Sequence, residues 1–317
     1  MSRKENAQFT IFGAGSIGSL FAAKLALAGN RVTIIAREAH VRQIITKGLE
    51  LQTFQGENFC IPLGAKTHLN KSTPLDQVII STKAYDNKTA CSAIKDILDA
   101  KNSQRIKLIL LQNGVGNEKP YEQFFPHQNI YRLLTTEAAL LESPGRVIHT
   151  GEGQTILVRR DNGGGSYEKR LAKIFTSSGL PCEVSTNFEK SIWTKLLINI
   201  PINPLGAIYQ VKNGQLLQQR EIRCRFEKLV NEAINVLKAK SIKTTFKDPL
   251  EEIKEVVRKT ANNKCSMLRD LEQGKLTEID YINGAIIALA RELGIQVEEN
   301  IRVVRQVKAL EHLKISR

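Results

Sequence analysis

The sequence lacks any apolar run of the ~18 residues that a membrane-crossing helix needs, which argues against a helical membrane protein. It also lacks a Cys-x-x-Cys pair. Its five cysteines, Cys60, Cys91, Cys182, Cys224 and Cys265, are odd in number and far apart. That disfavours a disulfide framework and a zinc ribbon, and it fits a reducing cytoplasm. The opening stretch Met1–Asn6 is polar and lacks the apolar segment of a signal peptide. Internal repeats and long low-complexity linkers are absent too. Acidic residues are the scarcer charge, with 32 Asp+Glu against 46 Lys+Arg and a net charge of +14. The excess is even: residues 1–187 and 188–317 each hold 23 basic and 16 acidic side chains. A generally basic surface that draws anionic ligands explains this better than a basic tail, so no nucleic-acid partner is expected.

The chain is long enough for two domains, at 317 residues with 42% hydrophobic content. The first half alternates strand and helix. Phe9-Thr10-Ile11-Phe12 is a short apolar run ending at glycine. Residues 19–28 read as a helix with Leu20, Ala23 and Leu27 on one face, stopped by Gly29-Asn30. Residues 32–36, 77–82 and 106–111 read as further strands, and their continuous apolar character points to a parallel sheet covered on both faces. Residues 147–149 and 155–159 look like antiparallel edge strands. Residues 161–166 form a surface turn, residues 167–178 a helix ending at Gly179, and residues 181–184 a last short strand. From Asn187 the period is helical. Ile222, Phe226, Leu229, Ala233 and Val236 recur three and four apart, as do Ile279, Ile282, Ile286, Leu289 and Leu293, closed by Gly294.

Gly13-Ala14-Gly15-Ser16-Ile17-Gly18 is a G-x-G-x-x-G that follows a strand, opens a helix and leads to a second strand. In that context it marks a dinucleotide site. Gly13 allows the tight turn, Gly15 lets a pyrophosphate approach the backbone, and Gly18 lets the helix pack on the sheet. Free N–H groups at the helix start then face the phosphates. The expected fold class is therefore an α/β Rossmann-type domain over residues 1–186, followed by an all-α substrate-binding domain over residues 187–317. At the tip of the second strand Ala36 and Arg37 stand where an NAD enzyme usually places a carboxylate. A guanidinium pairs with a 2′-phosphate, which favours NADP(H). A longer strand would bring Glu38 to the ribose instead and restore NAD.

Ligands of open α/β sheets sit at the carboxyl ends of strands. Lys83 and Asn113 follow two of them. They read either as cofactor and substrate contacts or as a solvated lysine and a glycine turn. Later, Lys195, Asn199 and Asn203 are spaced four apart among apolar neighbours, so on a helix they form one partly buried polar stripe. Such groups need partners, which an anionic, oxygen-rich substrate or an internal hydrogen-bond network can supply. Pro201 should kink this helix. Asn263 and Ser266 are candidate carboxylate ligands, and Glu278 lies just inside the start of a long helix, where it favours the dipole.

These residues resemble the ketopantoate reductase (2-dehydropantoate 2-reductase) family over nearly the whole chain. The resemblance rests on Gly13 to Gly18, Thr82-Lys83-Ala84, Asn113-Gly114-Val115-Gly116 and Trp193-Thr194-Lys195-Leu196 with Asn199 and Asn203-Pro204-Leu205. Ser266-Met267-Leu268 and Thr277-Glu278-Ile279-Asp280-Tyr281-Ile282-Asn283-Gly284 complete it. It implies NADPH-dependent reduction of 2-dehydropantoate to pantoate, on the way to pantothenate and coenzyme A. It assigns Lys195 as general acid and places Glu278 with it among the catalytic residues. Gly13, Ala14, Gly15, Ser16, Ile17, Gly18, Arg37, Lys83, Asn113, Ala139 and Glu278 fall on cofactor positions. Asn113, Lys195, Asn199, Asn203, Asn213, Asn263, Lys264, Cys265 and Ser266 fall on substrate positions. Gln112, Pro201 and Cys265 depart from the family pattern. No metal is implied, and the oligomeric state is left open, a homodimer included. The alternatives are a dehydrogenase of another 2-oxo or 3-hydroxy acid, and a non-catalytic NADP(H)-sensing protein.

Overall fold

The computed structural model describes residues 6–98 and 104–315. They form two compact units: Met1–Gln112 with Asn117–Phe188, and Asn113–Gly116 with Glu189–Arg317. The second unit thus takes a tetrapeptide from the first half of the chain.

In the first unit the short apolar runs become one eight-stranded sheet. It contains β1 (Gln8–Phe12), β2 (Arg31–Ile35), β5 (Gly64–Lys66), β6 (Gln77–Ile80), β7 (Lys107–Leu110), β8 (Ile130–Thr135), β11 (Thr155–Arg159) and β12 (Cys182–Ser185). The order is β12-β11-β8-β7-β6-β1-β2-β5, all parallel except β8 with β11. Period-two alternation sorts the side chains. Ile11, Ile79 and Ile109 join one core, while Val78, Ile80, Leu108 and Leu110 join another. The first core is closed by Leu20 and Phe21 of α1 (Ser16–Leu27) and Leu171 and Phe175 of α5 (Ser166–Ser177). The second is closed by Ala90 and Ile94 of α3 (Asn87–Lys95) and Tyr121 of the short α4 (Lys119–Glu122). Each fully buried side chain of this kind contributes about 1.5–3 kcal/mol. Both faces are covered, as the apolar strands anticipate.

A second sheet in this unit has the order β4-β3-β10-β9, from β3 (Leu49–Gln52), β4 (Asn58–Ile61), β9 (Ala138–Ser143) and β10 (Arg146–Gly151). Here the structure corrects the sequence reading. Residues 147–149 are not an edge strand: β10 lies inside the sheet, parallel to β3 and antiparallel to β9. Nor is β11 at an edge, because β12 pairs outside it. The covering partners are short or distant in sequence, so local alternation does not reveal them. Helix α1 also begins at Ser16 rather than Ser19, which draws Ser16, Ile17 and Gly18 into its first turn.

The second unit is helical: α6 (Phe188–Tyr209), α7 (Gln215–Gln218), α8 (Arg220–Ala239), α9 (Pro249–Lys259), α10 (Ser266–Glu272), α11 (Ile279–Leu293) and α12 (Glu298–Ile315). Ile222, Phe226, Leu229, Ala233 and Val236 of α8 meet Ile279, Ile282 and Ile286 of α11 in a core that also holds Leu196, Leu197, Ile200 and Leu205 of α6. The ends are locally encoded. Asp248 accepts from the Glu251 N–H at 3.3 Å ahead of Pro249 in α9, and Gly294 closes α11 in the left-handed region with φ 66°. Helix α6 continues through both Pro201 and Pro204.

Candidate active site

The candidate site residues fall into two groups, one in each unit. In the first unit the strand order reverses at β1, which has β2 on one side and β6 on the other. Ligands of open sheets bind outside strand ends at such a reversal. The glycine loop leaves β1 there. Gly13 N–H donates to the Ile35 carbonyl at 3.0 Å, and Ser81 N–H donates to the Phe12 carbonyl at 2.9 Å. Gly13 has φ +99°, and a Cβ on it would lie 2.5 Å from the Thr82 nitrogen. A Cβ on Gly18 would collide with the Gly13 carbonyl and the Ser81 hydroxyl. Ser81, which the sequence places only at the end of a strand, braces the turn by donating its hydroxyl to the Gly13 carbonyl. Both glycines therefore allow the loop to pack against the end of β6.

Gly15 differs. It caps α1, is exposed, and a Cβ there would meet nothing within 4 Å. The helix start has neither a side-chain cap nor an acidic residue in its first turn. Its N–H groups and positive dipole end are thus left for an anion, which fits a pyrophosphate. Ala14 is buried. The Ser16 hydroxyl accepts the Leu141 N–H of β9 at 3.1 Å, tying the loop to the strand that carries the buried Ala139.

Strand β2 ends at Ile35, so Ala36 and Arg37 follow its tip directly. Arg37 is exposed and caps α2 (Glu38–Lys47). Its charge lies close enough to Asp86 to offset part of the rise that burial imposes on that carboxyl pKa. Glu38 is already inside α2 and pairs with Arg42 at 3.0 Å. It is therefore committed to the helix and does not sit at the strand tip. Lys83 is half-buried at the cap of the turn over Ala84–Asp86. The unusual Gln112 lies behind it, donating to the Thr82 carbonyl at 2.8 Å and to Asn87 Oδ1 at 2.7 Å.

In the second unit α6 presents Lys195, Asn199 and Asn203 on one face, about 6 Å apart along the axis. Asn199 and Asn203 are buried, and the amide nitrogen of each lacks a hydrogen-bond partner. Lys195 is half-buried, and burial lowers its ammonium pKa from the usual 10.5 to about 8. A buried donor without a partner costs about 1–3 kcal/mol, so two of them on one stripe are conspicuous. Asn213 is brought to Asn263: its N–H donates to the Asn263 carbonyl at 2.9 Å and its side-chain amide donates to the Thr260 hydroxyl at 3.0 Å. The Asn213 side-chain oxygen is buried and unpartnered as well.

Asn113 and Glu278, 165 residues apart, meet with Asn113 donating to the carboxylate at 3.4 Å. The Val115 N–H fixes this tetrapeptide to the Tyr281 carbonyl at 3.0 Å. Glu278 is buried and occupies the cap position of α11, one residue before the helix rather than inside it. Its charge still favours the positive helix end. The 264–266 segment is split. Lys264 is exposed and pairs with Glu272 at 2.6 Å, and Ser266 is exposed. Cys265 is buried; its sulfur caps α10 by accepting the Leu268 N–H at 3.4 Å and donates to the Asn203 carbonyl at 3.4 Å. Burial pushes this thiol up to about 12, so it stays protonated as a donor.

Comparison with known proteins matches these two groups to one family. Residues 9–162 match the family model described as ketopantoate reductase PanE/ApbA, and residues 187–311 match the one described as ketopantoate reductase PanE/ApbA C terminal. A 2-dehydropantoate 2-reductase of Pyrococcus abyssi is 32% identical over 96% of this chain and 98% of its own. A PanE/ApbA family ketopantoate reductase from Ralstonia eutropha aligns with TM-score 0.87 and 29% identity, covering 97% of this chain and 99% of that one. A D-mandelate dehydrogenase solved with NADH and anilino(oxo)acetate aligns with TM-score 0.89, also at 29% identity with the same coverage. By the sequence match over nearly all of its length, this chain belongs to the ketopantoate reductase family.

Proposed function

We propose that this protein reduces 2-dehydropantoate to pantoate with NADPH, a cytoplasmic step toward pantothenate and coenzyme A. The observation that carries this reading is the stripe on α6. Two buried amide donors without partners beside a desolvated lysine are arranged for an oxygen-rich anion. The residues that would hold the dinucleotide are the Gly13–Gly18 loop for the pyrophosphate, Arg37 for the 2′-phosphate, and Lys83, Ala139, Asn113 and Glu278 around the remainder. When bound, the nicotinamide supplies the hydride to the C2 carbonyl carbon.

As the carbonyl carbon gains two electrons, negative charge develops on its oxygen. Lys195 as ammonium stabilises that charge and gives up one proton, leaving a hydroxyl and a neutral amine that solvent reprotonates. A general acid placed this way accounts for roughly 10²–10⁴ in rate. Asn199, Asn203 and Asn213 orient the substrate through the groups the fold leaves unpaired. Lys264 and Ser266, both exposed, meet the substrate from the rim of the 263–266 segment. Glu278 receives Asn113 and fixes the tetrapeptide that carries it.

One observation favours a second reading, reduction of another 2-oxo acid with NADH: the D-mandelate dehydrogenase aligns as well as the ketopantoate reductase does. The exposed position of Arg37 just past the tip of β2, and the pairing of Glu38 with Arg42 inside α2, favour NADPH. The test is kcat/KM over a panel of 2-oxo acids with each cofactor. The expected ranking puts 2-dehydropantoate with NADPH first. A preference for phenylglyoxylate with NADH would establish the second reading.

A further inference from the structure

The stripe on α6 sits where the helix lacks one of its own hydrogen bonds. Pro204 has no N–H, so the carbonyl of Ile200, four residues earlier, loses its helical donor. Ile200 lies between Asn199 and Asn203, so this defect falls inside the turn that carries both amides. An orphaned buried carbonyl needs a donor from elsewhere. The structure supplies one: the Asn283 amide of α11 donates to the Ile200 carbonyl at 3.0 Å.

Asn283 is itself held from behind. It is fully buried, and the same amide donates to Asn300 Oδ1 at 2.9 Å. Asn300 in turn donates its side-chain amide to Glu232 at 2.7 Å and its N–H to the same carboxylate at 3.0 Å. A chain of hydrogen bonds thus runs from α8 through the start of α12 and the second turn of α11 to one carbonyl of α6. Packing alone would be met by an apolar side chain at 283, without the desolvation that a buried amide brings.

We infer that Asn283 is a positioning residue for the reduction: it replaces the N–H that Pro204 removes and so sets the direction of Asn199 and Asn203. This rests on the proposed role of the α6 stripe. Pro204 and Asn283 are on this view one device, in which an open helical turn is braced from outside. A small misplacement of substrate-orienting groups costs up to roughly 100-fold in rate.

The test uses the full-length enzyme and four proteins: wild type, Asn283→Leu, Pro204→Ala and the double variant. Alanine at 204 restores the N–H, so the helix can satisfy Ile200 without Asn283. The expected result for Asn283→Leu is a fall of about 10- to 100-fold in kcat/KM for 2-dehydropantoate with NADPH affinity unchanged. Pro204→Ala stays within about threefold of wild type, and the double variant recovers most of the loss. The fall in kcat/KM at unchanged NADPH affinity is the readout that a merely structural role would not give, and recovery in the double variant ties it to the Ile200 carbonyl. If Asn283→Leu fails to fold, the double variant should fold and turn over. A double variant that fails to fold, or folds without recovery, assigns Asn283 to packing and overturns the inference. Wild-type kinetics in Asn283→Leu overturns it as well. Asn199→Ala in parallel separates the two layers: normal kinetics there sinks the stripe itself, whereas an impaired Asn199→Ala beside a normal Asn283→Leu sinks only the positioning role.

Discussion

The pH dependence of turnover follows from the burial of Lys195. A general acid must carry its proton before the carbonyl is reduced, and burial brings this amine from 10.5 to about 8. Below about pH 8 the free enzyme holds the ammonium form; above it that fraction falls about tenfold per pH unit. Keeping the amine charged at neutral pH therefore costs at most about 3 kcal/mol of folding stability. The sign is that of a lowered lysine. The penalty is fully present below about pH 8 and is relieved as pH rises toward 10.5, because the unfolded chain then binds more protons than the folded one. An anionic substrate offsets the same penalty when it binds. The assay is kcat/KM for 2-oxo acid reduction across the alkaline range, on wild type and Lys195→Arg. The wild-type profile should be flat at neutral pH and bend downward near pH 8. The arginine variant is slower, since guanidinium is a poor acid, but it stays charged and should show no such bend. Lys195→Met should be inactive yet melt at a higher temperature at neutral pH, since it removes a buried charge. A wild-type profile that stays flat well past pH 8, or the same bend in Lys195→Arg, would refute the assignment of this lysine as the acid.

Asn199→Ala and Asn203→Ala should each raise KM for the 2-oxo acid while leaving the melting temperature unchanged or higher, because neither amide nitrogen has a partner to lose in the folded protein. Steady-state kinetics with thermal melts would expose the opposite pattern, a drop in stability with normal KM, as a structural role. Arg37→Ala should weaken NADPH binding by about 10- to 100-fold, the worth of a charge-assisted pair, with little change for NADH; equal affinities before and after, by fluorescence titration, would remove Arg37 from the 2′-phosphate. Gly13→Ala should destabilise the first unit by about 1–3 kcal/mol and weaken cofactor binding, since its φ of +99° and its approach to Thr82 leave no room for a methyl group. A calorimetric trace matching wild type would contradict that.

How far the sequence reveals this depends on whether a signal is local. The glycine loop was legible because strand, turn and helix are consecutive, and the stripe of Lys195, Asn199 and Asn203 because helical spacing puts residues four apart on one face. Arg37 after Ala36 already favours NADP(H) in the sequence, with Glu38 as the open alternative. The structure adds that β2 ends at Ile35 and that Glu38 lies inside α2, paired with Arg42. Strand β8 was hidden by Arg132, which interrupts the apolar run yet is fully buried against Glu118 at 3.2 Å. The interior position of β10 depends on β3, nearly a hundred residues away. Asn283 stands in a motif that the sequence displays, but its partner is a backbone carbonyl on another helix. The clue lay in Pro204, whose missing N–H asks for a donor from elsewhere.

The central claim is hydride delivery from NADPH to C2 of 2-dehydropantoate with Lys195 as proton donor. A single-turnover reaction with NADPH dideuterated at nicotinamide C4, read by mass spectrometry of the product, tests it most directly. The wild-type protein should give pantoate carrying deuterium at C2, and Lys195→Ala should form it roughly 10²–10⁴ times more slowly despite retained NADPH binding. Unreacted 2-dehydropantoate with the wild-type protein, or deuterated pantoate formed equally fast by Lys195→Ala, would contradict it.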